Sequence, residues 1–178
     1  RRHRFVILIP VADSPVHLEA CLDSLLELCR SFGYGGMRDG LYHKVSVLLA
    51  DDSAGADNIA RHCALAERAR AGGLAVEYFG LEEQRALLDR MTGIALDGVV
   101  GEPAVARGPR KGQGVMRNIA GLRLAEIAAA AADEPLLFFS VDADQRFGID
   151  APGQPGATLY ALNYLAEFDR LFAGGDID

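Results

Sequence analysis

The stretch Phe5-Val6-Ile7-Leu8-Ile9-Pro10 decides the fold class of this chain, because an uninterrupted apolar run of strand length ends at a proline. Such a run is typical of a β-strand that is covered on both faces, as strands of parallel sheets are. We therefore place the first central strand at residues 5–9.

The segments that follow this strand alternate between helical and strand patterns. Ser14 is predicted to be an N-cap with Pro15 at the first helical position, and apolar residues then recur at helical spacing. Residues 31–43, 97–112 and 147–156 lack periodicity and are predicted to be loops. The predicted helices are residues 15–30, 57–71, 81–91, 115–132 and 157–172, and the further strands are 45–50, 75–79 and 136–141.

This alternation predicts an α/β fold with a mostly parallel sheet, right-handed crossovers and helices on both faces. A chain of 178 residues, half of them hydrophobic, can bury the core of one domain spanning residues 1–178. Sheets of this kind bind ligands beyond the carboxyl ends of their strands. Those ends carry polar residues from distant parts of the chain: residues 10–14, 51–53, Gly80 and 142–144.

Composition argues against several classes of partner. The formal net charge of -7 disfavours duplex nucleic acid, whose binding depends on many Lys and Arg contacts to phosphate. No apolar run approaches the ~20 residues of a membrane span. Three cysteines without a C-x-x-C pair suggest neither a disulfide framework nor a zinc site, so a reducing, cytoplasmic location is expected. The absence of an initial Met and the ending directly after a helical pattern suggest a chain truncated at its C-terminus.

Asp142-Ala143-Asp144 follows the last predicted strand directly and is the sharpest chemical feature of the sequence. Two carboxylates one residue apart can share a hard divalent cation, Mg²⁺ or Mn²⁺, with water and substrate phosphates as the other ligands. Such a cation neutralises charge on a leaving diphosphate. A helix N-cap or a solvated turn explains the same pattern, so both interpretations stand at this point.

Two further segments carry alternative interpretations. Asp51 and Asp52 end the second strand, where they can cap the following helix or accept hydrogen bonds from a base or a ribose. Lys111-Gly112-Gln113-Gly114-Val115-Met116-Arg117-Asn118 opens a helix, where free N–H groups, the helix dipole and two cations favour a phosphate. A simple loop-to-helix transition accounts for this segment almost as well, and its glycine spacing is not that of a P-loop.

The hallmark motifs of several enzyme classes are missing from the sequence. It contains no H-E-x-x-H and no G-x-S-x-G, and the first strand is followed by residues 10–14 rather than by G-x-G-x-x-G. Zinc proteases, serine hydrolases and dehydrogenases are therefore disfavoured. The four histidines are scattered along the chain and are expected at the surface, without a functional role.

The order of these segments resembles family 2-like glycosyltransferases of the GT-A fold. Ile9-Pro10-Val11-Ala12-Asp13-Ser14 looks like the family's I-P-V-Y-N-E turn, and Ala50-Asp51-Asp52-Ser53 looks like its V-D-D-G-S segment. Residues 111–118 match K-G-x-G-x-x-R-N, and residues 142–144 match the D-x-D motif. The chain departs from the family at Ala12, at Ser14 and in a longer stretch between Phe79 and Lys111.

The resemblance implies a nucleoside-diphosphate-sugar donor, an unknown acceptor and a metal-dependent, hexosyltransferase-type reaction. It implies that Pro10, Val11, Ala12 and Asp52 surround the base, that Asp142 lies near the ribose and the metal, that Asp144 binds the metal, and that Lys111 or Arg117 lies near the diphosphate. The family's catalytic base is expected beyond residue 178. The alternatives are a sugar-phosphate nucleotidyltransferase and a non-catalytic nucleotide-sugar-binding domain.

Overall fold

The structure is a computed structural model that describes residues 2–91, 96–131, 133–153 and 156–174. Its strands are β1 (Arg4–Val11), β2 (Met37–Arg38), β3 (Leu41–Tyr42), β4 (Val45–Asp51), β5 (Ala75–Phe79), β6 (Leu136–Ser140), β7 (Ile149–Asp150) and β8 (Thr158–Leu159). Its helices are α1 (Pro15–Phe32), α2 (Ala56–Ala71), α3 (Leu81–Arg90), α4 (Asp97–Val100), α5 (Pro103–Ala106), α6 (Gln113–Ala130) and α7 (Tyr164–Ala173).

The central sheet has four parallel strands in the order β5-β4-β1-β6. Leu8 of β1 is level with Leu48 of β4 on one side and with Ser140 of β6 on the other. All four carboxyl ends therefore lie at one edge of the sheet. The predicted strands are confirmed, and so is the predicted parallel α/β architecture.

Side chains of β1 alternate between two hydrophobic layers, as the period of two in a strand requires. Ile7 and Ile9 pack with α1 and α2, whereas Val6 and Leu8 pack with α3 and α6. Every one of these four side chains is at most 5% exposed. A strand apolar at every position is stable only between two layers of helices, and the prediction of helices on both faces is confirmed.

Helix α1 shows how the sequence sets the boundaries of an element. Pro15 begins the helix, and Ser14 occupies the predicted N-cap position, although its side chain makes no capping hydrogen bond. The helix ends at Gly33, whose φ of 57° is left-handed and whose N–H donates to the carbonyl of Cys29 at 2.8 Å. Cys21 and Cys29 are buried on the inner face, as predicted, and burial raises the pKa of each thiol to about 12.

The predicted loops contain more structure than the sequence suggested. Residues 31–43 include the antiparallel pair β2 and β3, and residues 147–156 include β7, which pairs with β8. Residues 97–112 include the short helices α4 and α5, which form because Val100 and Ala106 bury their side chains against α6. Local periodicity carries no signal for elements of two to four residues, since tertiary contacts hold them.

Several helix boundaries also differ from the prediction, among them the end of α1 at Phe32 rather than at residue 30. The last helix was predicted to begin at residue 157, but it begins at Tyr164. Thr158 and Leu159 pair with β7 instead of joining the helix. The Asn163 side chain then caps the helix by accepting a hydrogen bond from the Ala166 N–H at 3.1 Å. Helix α6 begins at Gln113, two residues before the predicted start; its predicted end at residue 132 lies outside the described residues. In the part of the chain that the structure describes, no helix is long and apolar enough to cross a membrane.

Candidate functional site

Two neighbouring pockets lie at the carboxyl edge of the central sheet. We name them the Asp52 pocket, of about 350 Å³, and the Asp144 pocket, of about 250 Å³. Pro10, Val11, Ala12 and Gln113 line both and so form their common wall. The Asp52 pocket is completed by Asp13, Asp52, Arg110, Gly112 and Met116, and the Asp144 pocket by Ser14, His17, Asp142, Ala143 and Asp144.

This arrangement confirms that distant polar segments meet at one edge. Residues 10–14 lie at and just after the end of β1, Asp52 follows β4 and residues 142–144 follow β6, and these three strands are neighbours in the sheet. Gly80, which follows β5, begins α3 and lines neither pocket. Because the strands are parallel, their carboxyl ends bring these residues to the same edge of the sheet.

Asp52 is buried and forms an ion pair with Lys111, which joins the end of β4 to the loop before α6. Its Oδ1 accepts from the Lys111 ammonium at 2.8 Å and its Oδ2 accepts from the Gly112 N–H at 3.1 Å. The Lys111 side chain is wholly buried and also donates to the Gln84 Oε1 at 2.8 Å. The ammonium therefore points at Asp52 and Gln84 rather than at either pocket, and the role of Lys111 near a diphosphate stays a prediction.

Gln84, which the sequence analysis did not single out, holds the Asp52 ion pair in place. Its Nε2 donates to the carbonyls of Asp51 and Phe79 at 2.9 Å each, at the ends of β4 and β5. Its side-chain oxygen is then free to accept from Lys111. A single amide thus joins two strand ends to the loop before α6. A glutamine in an amphipathic helix gives no sequence signal for this role.

Asp51 forms a second buried cluster directly behind the pockets. Its Oδ2 accepts from the Tyr78 hydroxyl at 2.7 Å and lies 2.8 Å from the His62 Nδ1, and its Oδ1 accepts from the Ser53 N–H at 2.9 Å. Burial opposes ionisation of Asp51, but hydrogen bonds from His62, Ser53 and Tyr78 outweigh it and lower its pKa. The same burial, with Asp51 nearby, raises the pKa of Tyr78.

The Asp51 cluster corrects two expectations. His62 is wholly buried, so the prediction of a surface histidine is wrong for this residue. The N-cap position of α2 is occupied by Gly55, so neither Asp51 nor Asp52 caps that helix. The cluster is not a catalytic triad either, because Ser53 and Asp51 both approach the same nitrogen of His62, Nδ1, and the Nε2 atom has no partner among the described residues.

Asp13 clamps three loops around the Asp52 pocket. Its Oδ1 accepts from the Gly55 N–H at 3.2 Å and from the Asn58 amide at 3.1 Å, and its Oδ2 accepts two hydrogen bonds from Arg110 at 2.8 and 3.0 Å. The Arg110 and Asn58 hydrogen bonds lower the pKa of Asp13 to about 2. Both Asp13 and Arg110 have positive φ angles, of 49° and 51°, a conformation that costs free energy and is found at binding sites.

Asp142 and Asp144 lie in an exposed turn after β6. The Gln145 N–H donates to the Asp142 carbonyl at 3.0 Å, which closes the turn. The Asp142 Oδ1 is 2.5 Å from the Arg117 Nη2, in a pair whose side chains are 52% and 42% exposed. Asp144 is exposed as well. Among the described residues no group of three or more His, Cys, Asp or Glu could hold a metal ion, so a cation here needs ligands from a substrate or water.

The amino terminus of α6 faces both pockets. Gly112 is its N-cap residue and has a φ of 89°, which residues with a side chain rarely adopt. The helix begins at Gln113, which is part of the common wall. The first N–H groups of a helix and the positive end of its dipole attract anions. The segment 111–118 therefore opens a helix, as predicted, with Lys111 turned inward and Arg117 paired with Asp142 of the Asp144 pocket.

Comparison of the chain with protein-family models, with curated proteins and with solved structures found no match.

Proposed function

We propose that this chain is the nucleotide-sugar-binding domain of a metal-dependent glycosyltransferase with a GT-A-type fold. The observation that carries the proposal is the common wall of residues 10–12, with the buried Asp52 in the pocket on one side and the exposed Asp142 and Asp144 in the pocket on the other. A nucleoside diphosphate has this same division, with a flat hydrogen-bonding base at one end and charged phosphates at the other.

The Asp52 pocket suits the nucleoside. Residues 10–12 offer backbone groups and apolar atoms, and Met116 offers a soft apolar surface to the face of a base. Asp52 accepts from the Lys111 ammonium at 2.8 Å and from the Gly112 N–H at 3.1 Å, so its orientation is set before a ligand arrives. Preorganised polar groups of this kind determine which ligand is accepted.

The Asp144 pocket suits a diphosphate with a divalent cation. The exposed carboxylates of Asp142 and Asp144 are hard oxygen ligands, and they fit Mg²⁺ or Mn²⁺ when phosphate oxygens and water complete the coordination. When bound, such a cation stabilises the negative charge of the departing nucleoside diphosphate. Without the cation, Arg117 balances the charge of Asp142. When the cation is bound to Asp142, the exposed guanidinium of Arg117 is available to bind a phosphate oxygen.

The proposal is tested by calorimetry and thermal shift with UDP-, GDP- and dTDP-sugars, each with and without Mn²⁺. We expect one donor to raise the melting temperature only with Mn²⁺, because a ligand selective for the folded state stabilises it. In Asp144→Ala the same donor is expected to lose this effect while the fold is retained. Release of the free sugar or of the nucleoside diphosphate then reports turnover.

The matched control is Asp133→Ala, which removes an exposed carboxylate from the turn before β6, at the opposite edge of the sheet. This variant should bind the donor as the wild type does. The proposal fails if no donor stabilises the protein, or if Asp144→Ala and Asp133→Ala respond to donor and Mn²⁺ alike. Formation of a nucleotide sugar from a sugar phosphate would instead support the nucleotidyltransferase alternative.

A further inference from the structure

A third cavity at the same edge of the sheet has no role in the donor site described above. This aromatic cavity, of about 340 Å³, lies between the end of β6 and helix α7. Its apolar lining consists of Phe139, Val141, Phe147, Tyr164 and Phe168. Gln145 and Arg146, both exposed, complete its rim.

The aromatic cavity and the Asp144 pocket are lined by alternating parts of the same segment, residues 141–145, although no residue lines both. Val141 and Gln145 line the aromatic cavity, whereas the three residues between them, Asp142, Ala143 and Asp144, line the Asp144 pocket. The turn that places them is closed by the hydrogen bond from the Gln145 N–H to the Asp142 carbonyl. A molecule in the aromatic cavity therefore lies one turn of backbone away from the carboxylates.

The walls of the aromatic cavity are firmly held. Phe147 is 7% exposed, and its N–H donates to the buried Ser24 hydroxyl at 3.2 Å. The rings of Phe139 and Phe168 meet edge to face, with centroids 5.3 Å apart. Since these groups pack against the main core, the cavity is a preformed space rather than a gap between mobile side chains.

The chemistry of the lining selects a ring-bearing ligand with a polar end. A cavity of roughly 150 Å³ already holds a benzene molecule, so this one has room for a ring and its substituents. Aromatic side chains favour a flat ring through edge-to-face and stacked contacts. Gln145 and the Arg146 guanidinium, which forms no ion pair among the described residues, can hydrogen-bond to oxygen atoms at the mouth.

We propose that the aromatic cavity is the acceptor subsite, and that it binds the ring of a hydroxyl-bearing aromatic acceptor. The inference rests on the proposed glycosyltransferase function, because an acceptor whose ring lies in the aromatic cavity has only to extend past the turn 142–145 for its hydroxyl to reach a sugar held at the Asp144 pocket. In the transfer, the acceptor oxygen bonds to the anomeric carbon, the bond from that carbon to the diphosphate oxygen breaks, and the hydroxyl proton passes to a carboxylate base, which is not assigned among the described residues.

The test measures binding of 4-nitrophenyl β-D-glucopyranoside by calorimetry in the absence of donor, with methyl β-D-glucopyranoside as the probe without a ring. We expect saturable binding of the nitrophenyl compound alone. Phe168→Ala, which removes a wall of the cavity, and Gln145→Trp, which fills its mouth from an exposed position, should each weaken binding about tenfold or more. Phe172→Ala is the matched control, because Phe172 lies one turn along α7, is 48% exposed and does not line the cavity.

The inference is overturned if both glucosides bind equally, if neither binds, or if all variants bind the nitrophenyl compound as the wild type does. Gln145→Trp keeps the test decisive if Phe168→Ala does not fold. The donor screen is a separate measurement, so the two proposals fail separately. Donor binding without binding of the nitrophenyl ring removes the acceptor subsite only. Ring binding without any donor response removes the transferase function and leaves a ring-binding cavity.

Discussion

Two pairs of aspartates lie at the carboxyl edge of one sheet, and one pair is buried whereas the other is exposed. Asp51 and Asp52 are 3% and 6% exposed, and protein groups already donate to their carboxylate oxygens. Asp142 and Asp144 are exposed, and among the described residues the Asp142 carboxylate has one hydrogen-bond partner, the surface residue Arg117. Residue type and position at a strand end are the same in both pairs, but the surroundings are not.

The carboxylates of Asp51 and Asp52 are thus held in one orientation by protein donors and stabilise the loops around the site, whereas those of Asp142 and Asp144 are open to solvent and to a cation. β4 is the second strand of the sheet from one side and is covered by helices on both faces, while β6 is an outer strand of the four described. A carboxylate that ends a covered strand must find protein donors, because an unpaired buried charge is costly. One that ends an outer strand can face solvent.

The largest expected effect comes from Lys111→Met, which removes the cation from the Asp52 pair and leaves a carboxylate buried without it. We expect a loss of about 3–5 kcal/mol of unfolding free energy. Chemical denaturation measures it. Arg107→Met, which breaks the exposed pair with Asp89, is the control and should cost less than about 1 kcal/mol. Equal losses would show that the Asp52 pair is not buried in solution.

Tyr78→Phe is expected to have the next largest effect. It removes a hydroxyl that donates to the buried Asp51 carboxylate at 2.7 Å, and a hydrogen bond to a charged group contributes about 1.5–3 kcal/mol. Tyr160→Phe is the matched change, since the Tyr160 hydroxyl makes no hydrogen bond within the described residues. If thermal melting shows the two variants to be equally stable, the buried cluster contributes nothing to stability.

The pH dependence of stability distinguishes Asp13, which clamps the loops, from an ordinary surface aspartate. Its pKa is lowered from 3.8 to about 2 in the folded protein, so its ionised form contributes stability above about pH 4 and loses it as the pH falls towards about 2. The difference in unfolding free energy between wild type and Asp13→Asn should therefore shrink over this range. A difference that is constant with pH would contradict the clamp.

The smallest effect on stability is expected for Asp142→Asn, since its partner Arg117 is 42% exposed and surface ion pairs contribute about 1 kcal/mol or less. Denaturation should show this variant close to the wild type, while Mn²⁺-dependent donor binding is weakened. A loss of stability as large as that of Lys111→Met would remove the contrast between the two aspartate pairs.

The main elements of the fold could be predicted from the sequence because each carries a local signal. Residues 5–9 are apolar at every position, residues 45–50 are apolar at every position but Ser46, and the period of apolar residues in α1 runs from Leu18 to Cys29. The elements that escaped prediction, α4, α5 and the short pairs β2 with β3 and β7 with β8, are two to four residues long. Such elements are stabilised by contacts with distant residues, which no local pattern records.

The candidate site was predictable in place but not in detail. Asp52, Asp142, Asp144 and residues 10–12 line the two pockets, because strand ends of a parallel sheet converge. Gln84, His62 and the clamp between Asp13 and Arg110 were missed. Each of these has at least one partner between 11 and 97 positions away in the chain, so neither spacing nor residue type indicates that contact.

The sequence by itself determined the order of strands and helices, the parallel sheet and the edge at which polar residues meet, since these follow from apolar periodicity and from the geometry of α/β crossovers. Only the tertiary structure decided which carboxylates are buried and which face solvent. In the folded protein Lys111 points inward to Asp52, whereas Asp144 is exposed. The physical reason is that the desolvation of a charge depends on every group packed around it, and those groups come from elements far apart in the chain.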